Sequence, residues 1–454
     1  MPPGNALYTD FYELAMAQAY LHEGRADTLA TFSLFVRELP PCRNYLVACG
    51  IEESLEHLES LRFSADDLDY LRALGAFSER LLGHLESLRF TGDVRAVREG
   101  TPVFAGEPLL EVDAPILEAQ LLETYLMNAL TAQTTLASKA ARVTTAAAGR
   151  PVLDFGVRRG HGGEGGVRAA RAYHVAGISA TSNVLAGASY GVPVAGTMAH
   201  SYIQAHDSES EAFAAFVRSF PSTVLLVDTY ETLAGVRRVI RLADELGSEF
   251  RVRGIRLDSG DLAALSREAR AILDSAGLER VEIIASGGLD EHSIAELIAG
   301  DAPIDGFGVG SALAVSSDAP TLDTAYKLTE IGGVGRMKLS PGKLTRPGRK
   351  QVSRQRRGGR AAFDILGRAD ERLNGEPLLE TVMSAGRRVA PRAGALDKAR
   401  DRCARELFAL PDRIRALEPA RPGYPVEISP KLAHYSAEVA EAISPAAAGP
   451  GRRQ

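Results

Sequence analysis

The sequence predicts an α/β protein organised around parallel β/α units, with a barrel or a doubly wound sheet at its centre. Three observations carry this. Short apolar runs recur at 152–155, 193–195, 223–227, 252–257, 281–285 and 304–309. Segments of helical periodicity separate most of them, at 167–176, 208–219, 230–246, 261–276 and 290–299, and strands divided by helix-length crossovers pair in parallel. Polar residues then gather just after the runs, on what a β/α fold makes its functional end: Asp154 with Arg158 and Arg159, Thr197 with His200, Asp228, Asp258 with Ser259, Ser286 to Gly288, and Gly308 to Ser311.

A chain of 454 residues exceeds one ordinary core, so two or three domains are expected. The hydrophobic share of 45% and charged share of 24% are those of a globular protein. Acidic residues outnumber basic ones, 58 against 52, for a net charge of −6. That balance argues against nucleic acid or an anionic membrane as the main partner. Cys42, Cys49 and Cys403 match neither a zinc spacing nor a disulfide framework, which fits a reducing cytoplasm. The N-terminus has no basic stretch followed by an apolar core, and no apolar run approaches the ~20 residues of a membrane span. A cytoplasmic protein is the expectation.

Taken in order, residues 7–24 read as a helix. Thr9 or Asp10 is placed to cap it, Glu13 to complete a capping box, and Gly24 to end it. Tyr8 and Tyr12 fall on one side of it, where periodicity alone assigns them to packing. A strand at 29–37 and helices at 50–62, 66–74 and 76–88 follow. Residues 93–115 alternate in short runs broken by Gly-Thr-Pro and Gly-Glu-Pro, the pattern of antiparallel strands, before a helix at 116–147. Past the β/α units, residues from 321 return to short strands rich in Lys and Arg. The basic run 354–360 reads as a solvated hairpin or loop rather than a binding patch, 395–418 as a charged helix, and 445–454 as a disordered tail.

The chemistry concentrates in five loops. In GVPVAGTMAHSYIQAHD, residues 191–207, His200 follows a strand and a Gly-Thr pair. A neutral imidazole there serves as base, metal ligand or phosphoryl acceptor, or simply bonds backbone, and the stretch by itself leaves these even. Asp207 and Asp228 are both available to orient its ring. ASGGLDEHSI from Ala285 and GFGVGSAL from Gly306 each place glycines (Gly287 and Gly288; Gly306, Gly308 and Gly310) between a strand and a helix. Such glycines let backbone N–H groups and a helix N-terminus cradle a phosphate, although packing glycines in tight turns read the same way. Two in successive units favour phosphate. IRLDSGDL supplies Arg256 and Asp258, the latter for ribose hydroxyls or Mg²⁺, with Asp261 as a helix cap. DFGVRRGHGGEGG offers Arg158, Arg159 and His161 toward an anion. No GxxxxGK[ST] occurs, and the glycines of GFGVGSAL lack the setting of a dinucleotide fingerprint.

Together these motifs, with YTDFYELAMAQAY, REGTPVFAGEPLL, LLVDTYETL and MKLSPGKLTRPGRKQV, resemble the nicotinate phosphoribosyltransferases, in order from residue 8 to about 352. The resemblance implies a type II phosphoribosyltransferase. It would have an irregular (β/α) barrel at 149–325 and an open-faced α+β sandwich built from 1–148 and 326–444. Such proteins are usually homodimers. It implies transfer of phosphoribose from phosphoribosyl pyrophosphate to nicotinate, with Mg²⁺, and with ATP hydrolysis coupled through a phosphohistidine. His200 matches the phosphorylated histidine. Tyr12, Thr197 and Arg256 match nicotinate-contacting positions. Ser311 stands where the family usually has threonine and keeps the hydroxyl of the ribose-phosphate loop. Gly288 stands where relatives carry an acid or asparagine, which leaves only a backbone contact. Arg158 is a second candidate for the carboxylate or the phosphates, and an Arg256 fork suits a carboxylate better than an amide. The rival readings are the same fold acting on nicotinamide, a quinolinate enzyme, and a non-catalytic scaffold, which any turnover excludes.

Overall fold

The computed structural model describes residues 5–340, 345–389 and 394–444. The predicted tail at 445–454 lies outside these. The chain divides into two compact units, one formed by residues up to Ser138 together with those from Thr321, the other by Lys139–Pro320. The first division falls inside the helix Glu123–Ala146 rather than after it, and Thr324–Ile331 belongs wholly to the first unit.

The first unit is built from both ends of the chain around a seven-stranded sheet. Leu29–Val36 lies between Thr324–Ile331 and Pro108–Pro115. Asp93–Ala96 and Glu380–Ser384 continue the sheet, and every pairing is antiparallel. Alternate residues of Leu29–Val36 divide as a pleat requires. Phe32, Leu34 and Val36 enter the apolar core, while Ser33 donates to the buried Glu111 carboxylate at 2.5 Å. Burial pushes Glu111 up, but Lys350 and Arg95 outweigh it and hold the carboxyl below its ordinary value.

Several local expectations change here. Asp10 is the N-cap of Phe11–His22 but makes no side-chain cap bond, because its carboxylate accepts from Thr124 Oγ1 at 2.6 Å. Glu13 bonds Thr9 and Thr124 instead of completing a capping box. The helix expected at 116–147 breaks at Leu122 into Ile116–Leu121 and Glu123–Ala146. The basic run 354–360 is a hairpin turning at Gly358 and Gly359, both at positive φ. It is not all solvated: Arg354 is fully buried, pairs with Asp364 at 2.7 Å and lies over the Phe104 and Tyr424 rings.

The second unit is a curled, wholly parallel sheet. In chain order its strands are Val152–Asp154, Ala180–Thr181, Val224–Leu226, Gly254–Leu257, Glu282–Ala285 and Gly306–Val309. In space they run second, first, sixth, fifth, fourth, third. That is the cyclic order of a barrel opened between the second and third strands, a half-barrel. The run at 193–195 forms no strand. It makes a single bridge, Thr181 to Val194, on the open edge. Ile255, Leu257, Ile283, Phe307 and Val309 are each fully buried, as strands covered on both faces require. Parallel strands put all their carboxyl ends on one side, so the five polar loops converge there.

Candidate functional site

Three of those loops, after Asp154, around His200 and after Arg256, border a cavity of about 480 Å³ lined by Phe155, Arg158, Thr197, His200, Arg256 and Asp258, among others. A second cavity of about 310 Å³ shares Phe155, Gly196, Thr197 and Arg256 with it.

Arg256 is the organising side chain. It sits in the fourth strand with only 9% of its surface exposed. Nη1 donates to Asp258 Oδ1 at 2.9 Å and to Ser286 Oγ at 3.1 Å, and Nη2 to the Met198 carbonyl at 2.9 Å. Nε is buried with no hydrogen-bond partner among the described residues. The guanidinium also lies 5.8 Å from the centre of the Phe155 ring. Burial pulls Arg256 below its ordinary value, opposed by Asp258 and Asp228 and aided by Arg158. It remains a cation at any physiological pH.

Asp258 is the counterweight. Ser286 Oγ donates to its Oδ1 at 2.5 Å. Burial pushes the carboxyl up, yet Ser286, Arg256 and His200 prevail and hold it below the usual carboxylate range. It is therefore an anion that supplies charge, not a proton donor. Asp228 buttresses it by accepting from the Asp258 backbone N–H at 3.0 Å and from Ser259 Oγ at 2.6 Å, while its own Oδ1 is buried without a partner among the described residues.

His200 opens the short helix His200–Gln204. Its Nδ1 is 3.1 Å from Thr229 Oγ1 and its Nε2 is 3.6 Å from Asp258 Oδ2. Neither Asp207, which is exposed, nor Asp228, committed to Ser259, orients the ring. Thr229 and Asp258 do. Half-exposed between two polar neighbours, the imidazole is accessible to a reactant on the cavity side.

The glycine loops divide in function. Gly287 has φ +90°, and a Cβ there would come within 1.7 Å of the Asp258 carbonyl oxygen, so only glycine lets this loop pack on the Asp258 turn. Gly288 is exposed at φ +68°, and a Cβ there would meet nothing within 4 Å. Gly308 is buried within the sixth strand, where a Cβ would fall 2.4 Å from the Phe155 ring. Its smallness seats that ring. Gly310 caps Ser311–Ala314 with Ser311 exposed beside it. None of Gly287, Gly288, Gly308, Gly310 and Ser311 lines the main cavity, although all stand at the same end of the sheet. Asp261 caps its helix as expected, accepting from Ala264 N–H at 3.0 Å. Tyr12 belongs to the first unit, exposed on Phe11–His22.

Sequence reasoning missed Phe155, Ser286 as a partner of Arg256, and Thr229. Phe155 and Ser286 directly follow recognised strands and Thr229 lies three residues past Leu226, so position after a strand was the available signal. Asp154 was placed there too. It is buried and receives Thr181 Oγ1 at 2.6 Å and the Gly156 N–H at 2.7 Å, which bends the chain to aim Phe155.

Comparison with known proteins adds three findings. Residues 7–131 match the family described as nicotinate phosphoribosyltransferase (NAPRTase) N-terminal domain, and residues 151–357 the nicotinate phosphoribosyltransferase (NAPRTase) family. The chain is 52% identical over 427 residues to a nicotinate phosphoribosyltransferase of Mycobacterium tuberculosis, covering 94% of this chain and 92% of that one. It is 43% identical over 383 residues to the Bacillus subtilis nicotinate phosphoribosyltransferase, covering 82% and 78%. Its fold matches the crystal structure of human nicotinic acid phosphoribosyltransferase with a TM-score of 0.84 at 28% identity, covering 95% of this chain and 99% of that one.

Proposed function

Because the chain belongs to the nicotinate phosphoribosyltransferase family, we propose that it joins the ring nitrogen of nicotinate to the anomeric carbon of phosphoribosyl pyrophosphate. The products would be nicotinate mononucleotide and pyrophosphate, a step of NAD synthesis. The observation that carries this reading is Arg256. It is a buried cation on the wall of the main cavity, short of one acceptor and packed against an aromatic ring. A planar aromatic anion suits that pair, with its ring on Phe155 and its carboxylate on the guanidinium. Nicotinamide, carrying no charge, gains less there, so the nicotinamide reading is not favoured.

Transfer breaks the bond from the anomeric carbon to pyrophosphate as the pyridine nitrogen attacks, and the ribose passes through oxocarbenium character. The chain's contribution is alignment and charge. Arg256 and Phe155 hold the acceptor ring. Asp258, kept anionic, faces developing positive charge. The exposed loop at Gly287 and Gly288, ahead of the helix Glu291–Ala299, offers backbone donors to a phosphate.

Mg²⁺ fits the donor set at Asp228 and Asp258, where Asp228 Oδ1 lacks a partner among the described residues. Among the described residues no group of three or more His, Cys, Asp and Glu side chains could hold a metal, and a bound Mg²⁺ would take its remaining ligands from water and substrate phosphates. Its contribution when bound is to neutralise the leaving pyrophosphate.

ATP coupling through His200 belongs to the same proposal. The half-exposed imidazole, near Thr229 at Nδ1 and Asp258 at Nε2, would accept the phosphoryl group of ATP as ADP leaves, and its exposure and orientation support that reading. A homodimer with Tyr12 at the partner's site, and a cytoplasmic location, complete it. Among the described residues, no helix is long and apolar enough to cross a membrane.

The deciding experiment offers nicotinate, nicotinamide and quinolinate separately with phosphoribosyl pyrophosphate, Mg²⁺ and ATP. Mononucleotide from nicotinate far ahead of the others is the expected result. Equal use of nicotinamide would overturn the role given to Arg256.

A further inference from the structure

The second unit contains a buried cluster of four charges that the catalytic reading does not use. Lys139 and Arg142 lie three residues apart on one face of the helix Glu123–Ala146, exposed by only 1% and 4% of their side chains. Lys139 Nζ bonds Glu291 and stands 3.1 Å from Asp318 Oδ1. Arg142 Nε donates to Glu291 Oε1 at 2.9 Å and lies 3.8 Å from Asp318 Oδ2. Two cations thus meet two carboxylates, and the neighbouring Asp290 carboxylate also feels the Lys139 charge.

The positions of the two acids are informative. Glu291 is the first residue of Glu291–Ala299, the helix led by Ser286, Gly287 and Gly288. Asp318 closely follows Ser311–Ala314, the short helix led by Gly308 and Gly310. Each glycine loop therefore carries an acid just behind it, and the same two cations hold both acids. Burying four charges gains little stability over apolar side chains of equal volume, since desolvation offsets the attraction. What the cluster does provide is a common anchor for two separate loops. It also neutralises Glu291, whose bare carboxylate at a helix N-terminus would oppose an anion there.

We infer that Lys139 and Arg142 are positioning residues for phosphate recognition, fixing the two glycine loops from the buried side so that both engage one phosphorylated ribose. This rests on the reading of the glycine loops as the phosphate cradle. The residues touch no substrate, and their effect passes through Glu291 and Asp318.

The test compares the full-length protein with Lys139→Met, Glu291→Gln, Asp318→Asn and the conservative Lys139→Arg. Ribose 5-phosphate affinity is read by calorimetry, steady-state constants for both substrates by kinetics, and melting temperature alongside. The expected result is an affinity for ribose 5-phosphate weaker by about tenfold, or ~1.4 kcal/mol, in the three charge-removing variants. KM for phosphoribosyl pyrophosphate should rise in parallel, KM for nicotinate should stay within about twofold, and Lys139→Arg should recover most of the loss. Should Lys139→Met not fold, Glu291→Gln and Asp318→Asn, which keep side-chain volume, carry the comparison. A lowered melting temperature with unchanged ribose 5-phosphate affinity would overturn the inference while leaving turnover of nicotinate intact. A wild-type protein that neither turns over nicotinate nor binds ribose 5-phosphate would overturn the functional reading, and the inference with it.

Discussion

Replacing Gly308 by alanine puts a methyl group 2.4 Å from Cε2 and 2.6 Å from Cδ2 of Phe155, roughly 1 Å inside ordinary contact, which begins near 3.4 Å. The added carbon also meets Ser286 Cβ at 3.2 Å, so little relief lies on that side. The ring borders open space in the two cavities that it lines with Arg256. Overpacking of this kind costs about 1–3 kcal/mol. If the ring yields into the cavity, that cost appears in pyridine binding, as a rise of roughly 5- to 150-fold in KM for nicotinate. KM for phosphoribosyl pyrophosphate should barely move. Steady-state kinetics with each substrate varied in turn measures both. Adding Phe155→Leu should restore part of the lost melting temperature, because the shorter side chain leaves room for the methyl, and the two changes should couple rather than add. The reverse pattern, with KM rising for phosphoribosyl pyrophosphate alone, would show that Gly308 acts through its backbone on a phosphate and would refute the seating role.

Three further outcomes are expected. Arg256→Ala removes a charged hydrogen-bond donor worth about 1.5–3 kcal/mol; KM for nicotinate should rise by roughly 10- to 150-fold, more than KM for phosphoribosyl pyrophosphate, and equal rises would count against the assignment. His200→Ala should abolish acid-labile, base-stable labelling of the protein by ATP together with ATP hydrolysis, while weak ribosyl transfer survives; hydrolysis at the wild-type rate would end the phosphohistidine proposal. In the first unit, burial pushes Glu13 from an ordinary 4.5 up to about 7, against bonds from Thr9 and Thr124. Between those values the folded chain binds a proton that the unfolded chain has released, so stability falls as pH rises through that window, by ~1.4 kcal/mol per unit and of order 3 kcal/mol in all. Glu13→Gln should therefore melt higher than wild type at pH 8 and nearly equal to it at pH 5, and a pH-independent difference would contradict this account.

Much of this protein is legible in one dimension, for a physical reason. Apolar period, capping residues and glycine punctuation act within a few residues of themselves, so the parallel β/α units, the helix cap at Asp261 and the polar loops from Asp154 to Ser311 could be placed from the chain alone. The candidate residues Arg158, Thr197, His200, Arg256 and Asp258 do meet in one cavity because parallel strands deliver all their ends to one side. Partner choice is another matter, because it is settled between residues far apart in sequence. Nothing local says that His200 turns to Thr229 rather than Asp207, or that Arg256 commits Nη2 to the Met198 carbonyl. Nothing local separates Gly308, which makes room for Phe155, from Gly288, which stands open. Val192 to Ala195 has the composition of a strand, but at the open edge of the half-barrel it finds a neighbour only at Thr181 and stops at one bridge. Arg354 sits in a run as basic as any surface loop, yet the fold closes over it because Asp364, on the next strand, supplies a counter-charge. Composition decides what a side chain can do, and only packing decides which of its possible partners arrives.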